Sequence, residues 1–493
     1  MRYTIFILIV FKSLFSSEPW VKFFESDHRE LLLESVQMDD NTIISVGYGK
    51  NNPDHIYNGI LYHLDLDGNI IDEREYGNNY PSRINHISKV GNEEFILGGS
   101  TRYNDNRLLD AWIFKIDQNG DILWEKEFGG DGYQFVTAME NREDSTILVG
   151  SEFFVGGDPE SSKLVIVDKD SGNIVDEKLF QRKVIRSIIT TSRGYLLSGY
   201  TSNPVYIMSG WVEEVDSNLS TLWSKTFNHF NDTEYMYDII ESDDNSYIMV
   251  GSTCEKTTLN NFDHHAIIRK IDNNGNEIWV KTINNSIYND DIVSIKRVDQ
   301  DSYIFCGSSG VFVQMSNFDC KNSSDPKGYY GKIDKDGNIY WENLFNYSVD
   351  EYDMLNSALV LNNEEGLLFS GRSGGTSLLE GNSNSLLLKT DLNGNYSSIN
   401  ENSLPERSQL SQNYPNPFNP TTAITYFLSH SSKVDISVYD INGSLITKLV
   451  DGYKNRGKHL VDFDGSNLPS GVYFYKLIID GKQISSKKMI LLK

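Results

Sequence analysis

Cysteine is nearly absent: Cys254, Cys306 and Cys320 are the only three in 493 residues. An odd, small number excludes a disulfide framework, and their separations fit no zinc ligand set. No window carries the i, i+3, i+4 apolar recurrence of an amphipathic helix, which excludes helical bundles and two-helix solenoids. Apolar stretches are short and bounded by Gly, Asn or Asp. None is long enough to span a bilayer as a helix. Positive charge is also in short supply, with 44 Lys+Arg against 69 Asp+Glu and a net charge of −25. A surface of that sign repels phosphate, so nucleic acid is not an expected partner. The Gly-x-Ser-x-Gly, His-Glu-x-x-His and Walker motifs do not occur.

What remains is an aromatic, glycine-rich chain: 39% hydrophobic, 12% aromatic, with 38 glycines. That mixture favours β-structure with many turns. Residues 1–17 have Arg2, an apolar run from Ile5 to Phe11, and small Ser16 and Ser17 before Glu18. They read as a secretory signal peptide, leaving no transmembrane segment after its removal. The acidity is uneven, since residues 401–493 hold 11 Lys+Arg against 8 Asp+Glu. The acidic surplus therefore belongs to the part before residue 401. It suits solubility, or a face that binds cations or sugars.

Internal repetition is the strongest signal. Seven short apolar runs end at Gly47, Gly99, Gly150, Gly199, Gly251, Gly307 and Gly371. Each is followed by strand, tight turn and strand, with the turn beginning at Asp65, Asp117, Asp168, Asp216, Asp272, Asp334 or Asp391. Asx-Gly between apolar runs is a hairpin turn, because Gly and Asn tolerate positive φ. Units of about 50 residues and four short strands suit the blades of a propeller. The outermost strand has its own pattern, Trp-x-Lys-x-aromatic or a relative of it, beginning at Asp72, Trp124, Asp176, Trp223, Trp279 and Trp341. The seventh unit lacks one. Trp20, Lys22 and Phe24 supply it from just after the signal peptide. The expected fold is thus all-β: a seven-bladed β-propeller over residues 18–398, whose last blade is completed by strand 20–24. Such closure leaves no open seam. The Trp seven residues after the turn Asp is expected to pack between neighbouring blades.

The unit formed by Trp112, Lys115, Asp117, Gly120, Trp124, Lys126, Phe128, Gly129 and Gly130 resembles a common bacterial propeller repeat. More faintly, the repeats resemble those of quinoprotein and outer-membrane-assembly propellers. Residues 399–411 are polar and aperiodic, which reads as a linker. Residues 412–493 alternate apolar and polar in several short segments, as in a small Ig-like β-sandwich. This segment resembles the type A C-terminal sorting domain of the type IX secretion system. The carrying residues are Asn413, Tyr414, Pro415, Asn416, Pro417 and Phe418, then Gly471 and Tyr473. Phe463 stands where many relatives carry Trp. The resemblance implies the type IX secretion machinery as a partner and a secreted or outer-cell-surface location. An Ig-like accessory module is the alternative.

Chemistry is sparse. His264 and His265 are adjacent, but neighbours on an extended segment face opposite ways, so no metal site is expected. The Asp-x-Asp-Gly turns at Asp65 and Asp334 resemble calcium loops without the third acid or the Glu at position 12, and hairpins are expected instead. Nothing calls for a cofactor. Long variable loops on a rigid ring are where recognition concentrates, and the crossings between units combine acid with Tyr: Asp131 with Tyr133, then Tyr235, Tyr288, and Glu351 with Tyr352. Those Tyr either stack on a ligand or pack between blades. The expected function is non-enzymatic binding or adhesion, with a surface glycan or protein as ligand. The alternative is a polysaccharide hydrolase or lyase with an acid pair hidden among the carboxylates.

Overall fold

A computed structural model describes the propeller over residues 18–24, 30–49, 57–77, 80–91, 93–102, 108–129, 132–154, 160–201, 208–230, 233–258, 261–283, 290–309, 326–347, 352–374 and 383–396. In a second unit it describes 409–410, 413, 416–428, 432–441, 443–454, 457–479 and 481–492. The expected signal peptide lies outside the described residues, as do 399–408 of the expected linker.

Seven antiparallel sheets of four strands make up the first unit. In blade I the strands run Glu30–Gln37, Ile43–Gly49, Asn58–Leu64 and Ile70–Tyr76, from the innermost outward. Blades II to VI repeat this over residues 82–128, 133–180, 183–227, 234–283 and 290–345. Blade VII combines Asp353–Val360, Leu367–Ser373 and Asn384–Thr390 with the N-terminal strand Trp20–Phe24 on its outer edge. The closing strand pairs from Trp20↔Lys389 to Phe24↔Ser385. The core lies between blades: Phe24, Leu368 and Leu387 of blade VII pack with Leu32, Ile43, Ile60 and Leu64 of blade I.

The repeat motif is a set of inter-blade latches. Each turn Asp accepts hydrogen bonds from backbone N–H groups of its own turn, as Asp272 does from Asn274 and Asn276 at 2.9 and 2.8 Å. The turn then needs φ near +76° at Gly275, a conformation glycine adopts without strain. Against that glycine lies Trp223 from the outer strand of the preceding blade. The same pairing joins Trp20 to Gly68, Trp124 to Gly172, Trp279 to Gly337 and Trp341 to Gly394. Two residues on, the motif Lys reaches the turn Asn: Lys22 to Asn69 at 3.2 Å, Lys225 to Asn276 at 3.4 Å and Lys281 to Asn338 at 3.3 Å. Blade IV departs from the pattern. Leu219 takes the turn position with φ 60° and is buried against blade III, so apolar burial offsets the cost of a left-handed leucine.

The seven glycines that end the apolar runs have a cause the sequence does not display. Every inner strand carries a β-bulge, leaving Leu33, Asn85, Thr137, Arg186, Tyr237, Val293 and Asn356 without a cross-strand partner. The bulge presses its backbone onto the second strand. A Cβ at Gly99 would overlap the carbonyl oxygen of Arg83, and Gly47, Gly199, Gly251, Gly307 and Gly371 meet equivalent carbonyls. Gly150 is the exception, facing only side chains.

The second unit holds a three-stranded sheet (Gln409–Leu410, Thr421–Leu428, Gly457–Asp464) and a four-stranded sheet (Leu445–Lys454, Ser432–Tyr439, Gly471–Ile479, Lys482–Leu491). Ile424 and Tyr426 of one share a core with Ile436, Tyr475 and Leu477 of the other, the layout of a small sandwich. Gln409 and Leu410, the end of the segment read as linker, pair here with Phe427 and Tyr426.

Candidate binding site at the channel and its loop-side mouth

Once the latches are set aside, what varies from blade to blade is the inner strand and the residues beside it. In five blades the start of the inner strand and the approach to the preceding blade's third strand meet on one face. There Ser82 donates its N–H to Tyr57 O, Gln134 to Leu109 O, Glu234 to Met208 O, Asp353 to Pro326 O and Glu30 to Ser383 O, at 2.7–3.0 Å. The described ends of those crossings therefore lie beside the described ends of the long connections.

Inside, the seven inner strands enclose a cavity of about 320 Å³, a size that takes a small ligand. Polar groups in and beside its wall stitch one blade to the next. Asn85 donates to Val136 O at 2.9 Å, Thr137 to Ile185 O at 2.6 Å and Asn356 to Leu32 O at 2.9 Å. One residue further along, Glu34 accepts the Ile87 N–H at 3.0 Å, Asp238 that of Ile295 at 3.0 Å, and Ser294 that of Ala358 at 3.3 Å.

Charged and titratable groups lining the channel are paired between neighbouring blades. Glu34 meets His86 at 3.2 Å. Burial alone would raise the Glu34 carboxyl, but the hydrogen bond and charge of His86, with Lys296 and the Ile87 N–H, hold it below the ordinary value. Lys296 lies 3.4 Å from Asp238, and that carboxylate holds the ammonium above its ordinary value against the opposing effect of burial. Glu140 is raised by burial, although the Thr190 N–H bonds it at 3.0 Å.

At the mouth, blades III to VI contribute a denser group. Arg186 binds Glu152 at 3.1 Å and the Tyr200 hydroxyl at 3.1 Å. Tyr200 donates to Glu160 at 3.0 Å. Burial disfavours the charge on Arg186, yet Tyr200 and Glu152 outweigh it and raise the guanidinium. Burial raises Glu152, opposed by Arg186 and reinforced by Glu160. Tyr200 and Tyr235 meet edge to face at 4.8 Å. Burial, with the charge of Asp291 adding, pushes the Tyr237 hydroxyl up to about 12. Asp291 is pushed up to about 6 by burial, with Asp290 adding to it, although it accepts the backbone N–H of Ser308 at 2.8 Å and its hydroxyl at 2.7 Å. On the opposite side, Arg83 lies over the rings of Tyr48 and Tyr57, at 4.7 and 5.4 Å. Such a mouth offers hydrogen-bond donors, acceptors and ring faces to a polar ligand.

The residues singled out in the crossings fall in different places. Tyr133 is 38% exposed and stacks on Phe154 at 5.1 Å. Tyr235 is buried against Tyr200 and Tyr237, and Tyr352 is buried. Asp131, Tyr288 and Glu351 lie outside the described residues. Sequence reading missed Glu152, Glu160, Arg186, Tyr200 and Tyr237. One signal was present: the position after each repeat glycine is Ser at 100, 151, 252 and 308, but Tyr48, Tyr200 and Arg372 in three other units.

In the second unit the residues that carry the sorting-domain resemblance hold the sandwich together. Asn413 is buried, donating its N–H to Tyr475 Oη at 2.7 Å and its side-chain amide to Thr422 at 3.0 Å. Asn416 accepts the Ile490 N–H at 2.9 Å, and the bond joining it to Pro417 is cis. Phe418 packs on Phe463 and pairs with Leu491. Gly471 opens a strand in which the buried Tyr473 donates to Pro469 O at 2.8 Å. Tyr414 and Pro415 lie outside the described residues.

No curated protein matches the chain. Among solved structures it is similar to Sqt1 from Chaetomium thermophilum, with 13% identity, TM-score 0.42, and coverage of 81% of this chain and 94% of that one. It is similar to the Dos1 propeller at 11% identity and TM-score 0.43, covering 91% and 96%. The propeller domain of the Trilobed protease from Pyrococcus furiosus gives 13% identity and TM-score 0.38, covering 79% and 100%. Residues 412–492 match the secretion system C-terminal sorting domain; the chain joins a seven-bladed β-propeller to a type IX sorting domain, which indicates export to the cell surface or beyond it.

Proposed function

We propose that this is a non-enzymatic binding or adhesion protein of the cell surface, which captures an extracellular ligand at the loop-side mouth of its propeller. The observation that carries the reading is the placement of departures from the repeat. The constant residues serve the seams, whereas Arg186, Glu152, Glu160 and Tyr200 converge where the channel opens. Recognition on a rigid ring belongs at such a place. Glu152 and Glu160 are engaged by Arg186 and Tyr200, an arrangement suited to holding a polar ligand. The test exposes the full chain to panels of extracellular polysaccharides and immobilised proteins, with product release followed in parallel. Saturable binding without turnover, weakened at least tenfold in Arg186→Ala, is expected. Turnover of any polysaccharide, or binding indifferent to Arg186→Ala, overturns the reading.

A further inference from the structure

The outer part of the mouth has a feature that the hydrogen-bonded group does not explain. On blade III the inner strand presents Tyr133 and Phe135, and the second strand presents Glu152 and Phe154 beside them, paired as Tyr133↔Phe154 and Phe135↔Glu152. The three rings are nearly parallel. Tyr133 and Phe135 differ by 1° with centroids 6.5 Å apart, and Phe154 is inclined by 22° to both, at 5.1 and 6.3 Å. Phe135 and Phe154 are only half-buried. Aromatic rings inside cores favour tilted or edge-to-face pairs as well as offset stacks; here a group of parallel rings is left partly in water, with Tyr133 the most exposed of the three. Immediately beside it stand Glu152, Arg186 and Glu160, joined through Tyr200.

We infer that this platform is a subsite for a pyranose glycan, an assignment that rests on the mouth being the binding site. A pyranose ring has one face rich in C–H and an equator of hydroxyls. The C–H face lies on an aromatic plane with little loss of hydration, and the equatorial hydroxyls need paired donors and acceptors in one plane. A carboxylate and a guanidinium side by side supply both kinds of partner in planar, bidentate form. A peptide would use an unpaired strand edge or a hydrophobic groove. Here the second strand is paired on both sides, and the inner strand, paired on one side only, carries the three-ring group on the face of the sheet and not along its channel-side edge. Charge narrows the class further. Two carboxylates border the platform against one guanidinium, and the part of the chain before residue 401 is strongly acidic. Polyuronates and sulfated chains are repelled, so the saccharide is uncharged or carries an amine.

The experiment is calorimetric titration of the full chain with cello-, xylo- and laminari-hexaose, chitosan hexamer and oligoalginate. Binding of at least one of the first four and none of oligoalginate is expected. Tyr133→Ala weakens it about tenfold, the size of one lost aromatic stacking contact. Tyr133→Trp restores it, and an unchanged unfolding midpoint shows that the fold is intact. Phe154→Leu provides a second variant should Tyr133→Ala lower expression. Preference for oligoalginate, or saccharide binding unmoved by Tyr133→Ala and Phe154→Leu, refutes the platform. If no saccharide binds but an arrayed peptide does so in an Arg186-dependent way, the glycan assignment fails while the mouth stands. If nothing binds in an Arg186-dependent way, both fall.

Discussion

Trp20 tests the closure of the ring more sharply than deletion of its strand would. Its indole lies on Gly68 in blade I, and its Nε1–H donates to Leu66 O at 2.8 Å. Complete removal of a buried Trp side chain costs about 3–5 kcal/mol. Trp20 is only half-buried, so roughly half of that, about 2 kcal/mol, is expected for Trp20→Ala. The Leu66 carbonyl regains water, so the lost hydrogen bond adds little. Trp341 is the control, because it makes the same contact with Gly394 at the seam between blades VI and VII. Chemical denaturation of the full chain, followed by a probe of the propeller transition, should show similar losses for Trp20→Ala and Trp341→Ala. The seam sealed by Trp20 joins chain positions 20 and 68, yet its strand pairs with residues 385–389, so the whole propeller lies inside the closed loop. That pairing, and not the Trp20 contact itself, closes a loop across the entire domain and holds the indole in place when the ring is shut. A loss below about 0.5 kcal/mol for Trp20→Ala, beside about 2 kcal/mol for Trp341→Ala, would refute closure by the N-terminal strand.

Two further changes probe the inner strands. Gly99→Ala drives a methyl group into the Arg83 carbonyl, whereas at Gly150 the same methyl meets side chains only, Ile185 at 3.0 Å and Ala138 at 3.3 Å; a loss of about 3 kcal/mol or more is expected for the first and about 1 kcal/mol for the second, read from denaturant midpoints, and equal losses would show that the bulge is not what demands glycine. Asp291 has a folded-state pKa of about 6 against an ordinary 3.8, so its contribution to stability is fully present below pH 4 and lost as pH rises through 6. Asp291→Asn should therefore be more stable than the parent by up to about 3 kcal/mol at pH 8 and no different at pH 4; a difference independent of pH would refute the burial argument.

Legibility followed the range of the interactions. The Asp turns and the turn glycines could be read because each is set by chemistry within a few residues, and the Trp-x-Lys strands because they recur at a fixed offset from those turns. The count of seven and the closing strand followed because Trp20 and Lys22 repeat the offset seen at Trp223 and Lys225, where the structure shows the same Gly and Asn partners. The run-ending glycines were visible, but their cause was not. Gly99 answers to a bulge at Asn85 on another strand, and nothing in either segment announces the overlap. The site was hidden for a related reason. A charged residue in a strand reads as a solvated face, so Arg186 in KVIRSII and Glu152 in VGSEFF passed as surface. Only the packing of blade III against blade IV brings them to 3.1 Å. Tyr133, Tyr235 and Tyr352 were marked by their place in the crossings, but strand spacing does not say which way a ring turns, and the first is exposed while the other two are buried.

The same contrast bears on how such a ring acquires function. A propeller held at most of its seams by a recurring latch leaves its inner strands free to differ, because the stitching there uses whichever polar group is at hand: Asn85, Thr137 and Asn356 all reach the next blade's carbonyl, and Glu34, Asp238 and Ser294 all reach its N–H. An amide or a hydroxyl serves where a carbonyl must be met, and a carboxylate or a hydroxyl where an N–H must be, since each position needs only one donor or one acceptor at hydrogen-bond distance. They are not interchangeable toward a ligand, for which their charge and number of hydrogen bonds decide affinity. The channel wall can therefore change its chemistry from blade to blade without loosening the ring, and the asymmetric concentration of Arg186, Glu152, Glu160 and the Tyr133 platform at one sector of the mouth is the outcome expected of a scaffold whose stability resides elsewhere.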